Sequence, residues 1–152
     1  MSCTFHNDLA SSQEAIRLAR QDMLAVVDSL ERADLENARK GGWTIGRVLE
    51  HVIHSENLYA QATAYLVGSP APAGGGSSAP GSASEARRML LDSRKALLGA
   101  LEEINMDPMG FETFYEVRKV GHEEYSVLSV LENVANHDRE HAEQVRSILA
   151  AA

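Results

Sequence analysis

The sequence predicts an all-α protein built as a four-helix bundle. Three observations carry this. Four segments place apolar residues at intervals of three and four, the period of a helix with one buried face. Strong breakers separate them. Aromatic residues make up only 5% of the chain, and alternating runs of β-branched residues are scarce, which argues against a β-rich fold. The 152 residues suit a single domain, residues 1–152, large enough to bury a core without covalent staples.

The first segment covers residues 7–30, with Leu9, Ile16, Leu18, Met23, Val26, Val27 and Leu30 as apolar positions. A polar stretch follows, and Gly41 and Gly42 break the helix. The second covers residues 44–67. Thr44 is placed to cap its N-terminus. Val48, Val52, Tyr59, Ala62 and Leu66 share one stripe at ~100° per residue. Gly68, Ser69 and Pro70 stop it. Residues 68–84 are rich in Gly, Ser, Ala and Pro and read as a solvated flexible connector, with a lid over a site as the alternative. Such a connector reaches ~50 Å when extended, and the second helix is ~35 Å long at ~1.5 Å per residue. Helices two and three therefore need not form an antiparallel hairpin.

The third segment covers residues 84–104, capped by Ser84, with Met89, Leu90, Leu97, Leu98, Leu101 and Ile104 facing inward. Asp107, Pro108 and Gly110 end it. Residues 110–125 are expected to be irregular, with a short extended stretch suggested by Phe111, Phe114, Tyr115, Val117 and Val120. The fourth segment covers residues 126–150, with Ser126 as its cap and Val127, Val130, Val134, Val145 and Ile148 as its buried stripe.

Charge and cysteine content narrow the function. The formal net charge is −8 and the basic residues are scattered, which argues against a nucleic-acid partner. The single cysteine, Cys3, excludes an intrachain disulfide and any cysteine metal site. It sits in what reads as a polar N-terminal tail, as a free thiol. Residues 1–9 lack a signal-peptide pattern, and no apolar stretch approaches the ~20 residues of a membrane span. The expected compartment is the cytoplasm.

The candidate chemistry lies in the six histidines. His137 and His141 are four residues apart on the fourth helix, which sets both imidazoles on one face, one turn apart. A helix uses this spacing to offer two nitrogens to one metal ion. Both fall inside the apolar stripe, where an unpartnered polar group costs ~1–3 kcal/mol. A metal would satisfy both; the alternative is two core histidines bonded to carbonyls or water. His51, beside the stripe of the second helix, is the best third ligand. His54, one turn on, is a further ligand or a surface residue. His122 could face the site from the loop above it, and His6 belongs to the tail. Three imidazoles leave coordination positions open, the pattern of catalytic rather than closed structural sites. The Glu-x-x-His pairs of di-metal bundles and the His-Glu-x-x-His protease motif are absent.

Two stretches carry a family resemblance. Residues 42–51, GWTIGRVLEH, resemble the entry to the second helix of the DinB superfamily, where a Trp-Ser/Thr pair opens the helix and a His follows. Residues 125–131, YSVLSVL, followed by His137 and His141, resemble the family's last helix. The resemblance implies an up-down-down-up bundle and a metal site of His51, His137 and His141. It also implies homodimers and one divalent ion, nickel or zinc before manganese or iron. Some members are implied to be transferases or isomerases using a low-molecular-weight thiol, others hydrolases.

Three functions follow as expectations. A metalloenzyme would act on a small-molecule substrate, with Asn133, Tyr59 or Tyr65 orienting it. Thiol chemistry would call on Arg47 for a cofactor carboxylate, and hydrolysis on Glu140 or Asp138 as base. A non-catalytic metal-binding, stress-associated bundle would fill its coordination sphere with His54 or His122. A plain helical interaction module would bind no metal.

Overall fold

The computed structural model describes residues 2–72, 78–106 and 110–152. Four long helices form the bundle: α1 (Ser2–Asp28), α2 (Ile45–Val67), α3 (Ala83–Met106) and α5 (Val127–Ala151). Between α3 and α5 lie a short helix, α4 (Gly110–Tyr115), and a hairpin of β1 (Arg118–Val120) and β2 (Glu123–Tyr125).

The helix ends follow from local chemistry. The Thr44 hydroxyl accepts from the Arg47 N–H at 3.1 Å, as its position after the glycine pair predicts. At its other end α2 stops on Gly68, whose φ of 73° is left-handed and favours a residue without Cβ. Ser126 and Ser129 cap α5 reciprocally: each hydroxyl accepts from the other's backbone N–H, at 3.1 and 2.9 Å. The start of α3 is corrected. Ser82 rather than Ser84 caps it, accepting from the Glu85 N–H at 3.1 Å.

The N-terminal segment is helical from Ser2 rather than a tail. Phe5 extends the Leu9 stripe by one turn, is buried, and meets Phe114 edge-on at 5.4 Å between ring centroids. The Cys3 side chain, Asp107, Pro108 and residues 73–77 of the connector lie outside the described residues. Residues 110–125 hold more order than their pattern suggested. Val120 pairs with Glu123 across a two-residue turn whose first member, Gly121, has φ 66°, the glycine position of a hairpin turn.

Two apolar clusters define the topology. One joins the N-terminal half of α1 (Phe5, Ile16), the C-terminal half of α2 (Ala60, Leu66), the C-terminal half of α3 (Leu97, Ile104) and the start of α5 (Val127, Leu131). The other joins the opposite ends: Val27 of α1, Val48 of α2, Leu90 of α3 and Ile148 of α5. The directions are therefore up, down, down, up. Val67 and Ala83 therefore lie toward opposite ends of the bundle, a separation within the ~50 Å reach of the residues between them.

Between the clusters each long helix contributes charge to one buried network: Arg20 (4% exposed), Glu56 (2%), Arg94 (7%) and Asp138 (2%). Arg20 Nε and Arg94 Nη2 both donate to Asp138 Oδ2 at 2.9 Å. Arg20 Nη2 and Arg94 Nε donate to Glu56 Oε2 at 3.0 and 2.9 Å. Ser93 donates to Glu56 Oε1 at 2.8 Å. The remaining guanidinium nitrogens reach the carbonyls of Leu90 and Ile16. Two cations meet two anions, and no buried side-chain polar atom among the described residues lacks a partner, the condition under which buried ion pairs are tolerated.

Two residues expected in the core are not there. Leu18 is 47% exposed and Leu98 42%, and their neighbours Ala19 and Leu97 take the inward positions. No helix among the described residues is long and apolar enough to cross a membrane.

Candidate metal centre

His51 reaches the α2–α5 groove two turns after the Thr44 cap, and His137 and His141 reach it from α5. All three are partly buried, and one nitrogen from each falls within 4.8 Å of the other two. His137 Nε2 stands 3.1 Å from His51 Nε2 and 3.1 Å from His141 Nε2. Ring planes cross steeply, at 54° for His51–His137 and 72° for His137–His141, so the nitrogens meet edge to edge. Metal–nitrogen bonds of ~2.0–2.1 Å place adjacent ligand nitrogens ~3.0–3.4 Å apart. Two of the three nitrogen pairs stand at that spacing, and the third lies within 4.8 Å.

The protons point the same way. Gln144 Oε1 accepts from His141 Nδ1 at 2.6 Å. This bond puts the His141 proton on Nδ1 and leaves Nε2 as a lone pair aimed at the triad. His137 Nε2 carries at most one proton and cannot serve both neighbours well. A cation at the centre resolves the crowding of lone pairs. Because Gln144 fixes that tautomer and ring orientation, Gln144→Ala is expected to weaken metal affinity by ~10–100-fold. Competition with a chromophoric chelator measures this; unchanged affinity would contradict it.

Burial pushes the His137 pKa down from 6.5 to about 4, helped by the neighbouring His141 and His51. Burial also lowers that of His51, followed by the effects of His141 and Arg47. The unfolded chain takes up these protons first, so the metal-free protein should lose stability as pH falls from 6.5 toward 4 and change little from this source below that. Denaturant midpoints across the range test it; a flat profile would contradict the burial of neutral His137 and His51. Low pKa values also keep the nitrogens free of protons in mildly acidic solution, ready for a metal.

Trp43 flanks one side, its ring 5.2 Å from that of His51, with the Arg47 guanidinium 4.9 Å from the indole centroid. Arg47 is also paired with Glu50 at 3.2 Å. On the other side the Tyr59 ring stands edge-on to His137 at 6.2 Å. Tyr59 forms a wall of a cleft of about 560 Å³ between α2 and the hairpin, which Tyr65 and Tyr125 also line.

The remaining candidates divide. Tyr59 and Tyr65 share the cleft; Asn133 is partly buried and not among its lining residues. His54, His122 and His6 are exposed and do not join the triad. Glu140 is exposed, though its charge is felt at His51. Asp138 is corrected: it belongs to the buried network and is held by two arginines, so it is not free to act as a base. Sequence reasoning missed Gln144, Tyr125 and Trp43 as neighbours of the site. Gln144 lies three residues after His141, a spacing that signals contact on one helix face; Tyr125 comes from the hairpin and leaves no such trace.

A crystal structure of a DinB-like protein from Bacillus cereus ATCC 10987 superposes with a TM-score of 0.70 at 17% identity, covering 96% of this chain and 91% of that one. At that identity the likeness speaks for the fold. No curated protein matched the sequence. The family model described as DinB superfamily matches residues 15–145, which take in all three histidines, the whole of α2 and α3 and parts of α1 and α5, and the chain belongs to that superfamily.

Proposed function

We propose that His51, His137 and His141 bind one divalent metal ion, nickel or zinc before manganese or iron, and that the protein is a metal-dependent transferase or isomerase. Its substrate is a small molecule and its co-reactant a low-molecular-weight thiol. The observation that carries this reading is the donor set: three neutral imidazole nitrogens converge, and no carboxylate joins the group among the described residues. An ion held by neutral ligands keeps its full charge and acidifies a thiol or water in its open positions.

The chain's own residues do the rest. Gln144 holds His141 in the required tautomer. Tyr59 stands between the triad and the cleft. Burial and the nearby Tyr125 push its pKa up, so it remains a hydroxyl donor toward a substrate oxygen at neutral pH. Hydrolysis is less well supported, because Asp138 is engaged and Glu140 points to solvent. A closed, non-catalytic site is less well supported because neither His54 nor His122 supplies a fourth ligand.

The test compares two reactions on metal-loaded, tag-free protein: consumption of glutathione or cysteine with 1-chloro-2,4-dinitrobenzene, and hydrolysis of p-nitrophenyl acetate without thiol. Metal-dependent thiol consumption, lost in His137→Ala, is expected. Metal-dependent ester cleavage alone would replace the reading with a hydrolase, and neither reaction would favour a non-catalytic site.

A further inference from the structure

The cleft beside the triad has the size of a small-molecule site, at about 560 Å³. Its walls are largely apolar. Tyr59, Tyr65 and Tyr125 contribute three phenol rings, and Leu58, Ala62 and Val120 supply aliphatic surface. Two of these residues are unusually open for their type: Leu58 is 51% exposed and Tyr65 55%. Scattered apolar exposure needs no explanation, but these two lie about two turns apart on the same wall. The triad is not itself among the lining residues; Tyr59 is the link, lining the cleft on one side and meeting His137 edge-on on the other. The Tyr59 hydroxyl has no hydrogen-bond partner among the described residues, and it is not sealed from solvent. The Arg118 guanidinium packs over the outer ring, 5.3 Å from the Tyr65 centroid, and fixes that wall against the hairpin.

We propose that this cleft binds the planar, apolar body of the substrate, an aromatic ring or its equivalent, while the reactive end passes Tyr59 to reach the histidine triad. The inference rests on the metal reading above and adds a substrate class to it. Ring faces and edges of the three tyrosines suit a flat partner. A substrate without such a body gains nothing from the cleft.

Calorimetric titration of the zinc-loaded protein with phenylmethanethiol and with ethanethiol tests this. Both probes carry the same thiol, and only one carries a ring. Phenylmethanethiol is expected to bind at least about tenfold tighter. Leu58→Glu, at an exposed position where the fold tolerates change, places a charge in the cleft and is expected to bring the ratio of the two affinities to about one. Circular dichroism checks that the variant is folded. Equal affinities in the wild type, or a preference that survives Leu58→Glu, would overturn the inference while leaving the metal reading in place. Failure of the wild type to take up zinc would overturn the metal reading, and this inference with it.

Discussion

Asp138→Ala is expected to destabilise the protein by about 3–5 kcal/mol, the cost of stripping one partner from a buried ion network. Asp138 accepts from both arginines: Arg20 through Nε at 2.9 Å and Nη2 at 3.1 Å, and Arg94 through Nη2 at 2.9 Å. Alanine leaves two guanidiniums, 4% and 7% exposed, facing Glu56 alone. Neither arginine can shed its proton to escape, because the guanidinium stays charged at any accessible pH. Asp138→Asn keeps the shape and loses the charge, and is expected to be destabilising too. A control is available at the surface. Arg87 pairs with Asp28 at 2.7 Å, but both side chains are about half exposed, so Asp28→Ala is expected to cost no more than about 1 kcal/mol. Denaturant unfolding of the three variants checks the ranking. Equal, small effects for Asp138 and Asp28 would show that the buried network is not the tie between the four helices described above.

The second large effect concerns the central histidine. His137→Ala is expected to lower metal affinity by more than about 100-fold, beyond the ~10–100-fold typical of residues that only orient a ligand. His137 is the one imidazole whose Nε2 lies 3.1 Å from both others, so its loss leaves two nitrogens on opposite sides of the groove. The metal-free variant should remain folded and lose little stability, because removing a partly buried imidazole also relieves the crowding of lone pairs. A core histidine bonded to its surroundings would behave oppositely, with a loss of stability and no metal to lose. The protein's single tryptophan gives a direct readout. Trp43 lies 5.2 Å from the His51 ring, so nickel added to the metal-free wild type should quench its fluorescence to a one-to-one end point. The same titration of His137→Ala should show no saturable quenching.

Much of this arrangement was legible in the residues. Thr44, Gly68 and Ser126 are capping and stopping residues whose effects are local, so α2 and the start of α5 could be placed from sequence. The triad was legible for a related reason: the spacing of His137 and His141 and their place in an apolar stripe are properties of a single helix. What stayed hidden involves other elements. Arg20, Glu56, Arg94 and Asp138 each look like solvated charge on their own helix, and only the packing of four helices together gives each its partner. Leu18 and Leu98 were drawn inward in expectation because they are apolar at helical spacing, whereas the packing turns their neighbours Ala19 and Leu97 inward. The hairpin of residues 118–125 has strands too short for alternation to register, and with it Tyr125 and the far wall of the cleft went unseen. Phe5 was missed because a polar N-terminal sequence masks one buried ring.

The most direct measurement is the metal content of tag-free protein by elemental analysis, comparing wild type with a His137→Ala, His141→Ala double variant. About one equivalent of a divalent transition metal per chain in the wild type, absent from the double variant, is the result expected from a triad whose nitrogens already stand at ligand spacing. No metal in either protein, even after incubation with excess nickel or zinc, would contradict the account and leave the three histidines as a packed cluster in the groove between α2 and α5.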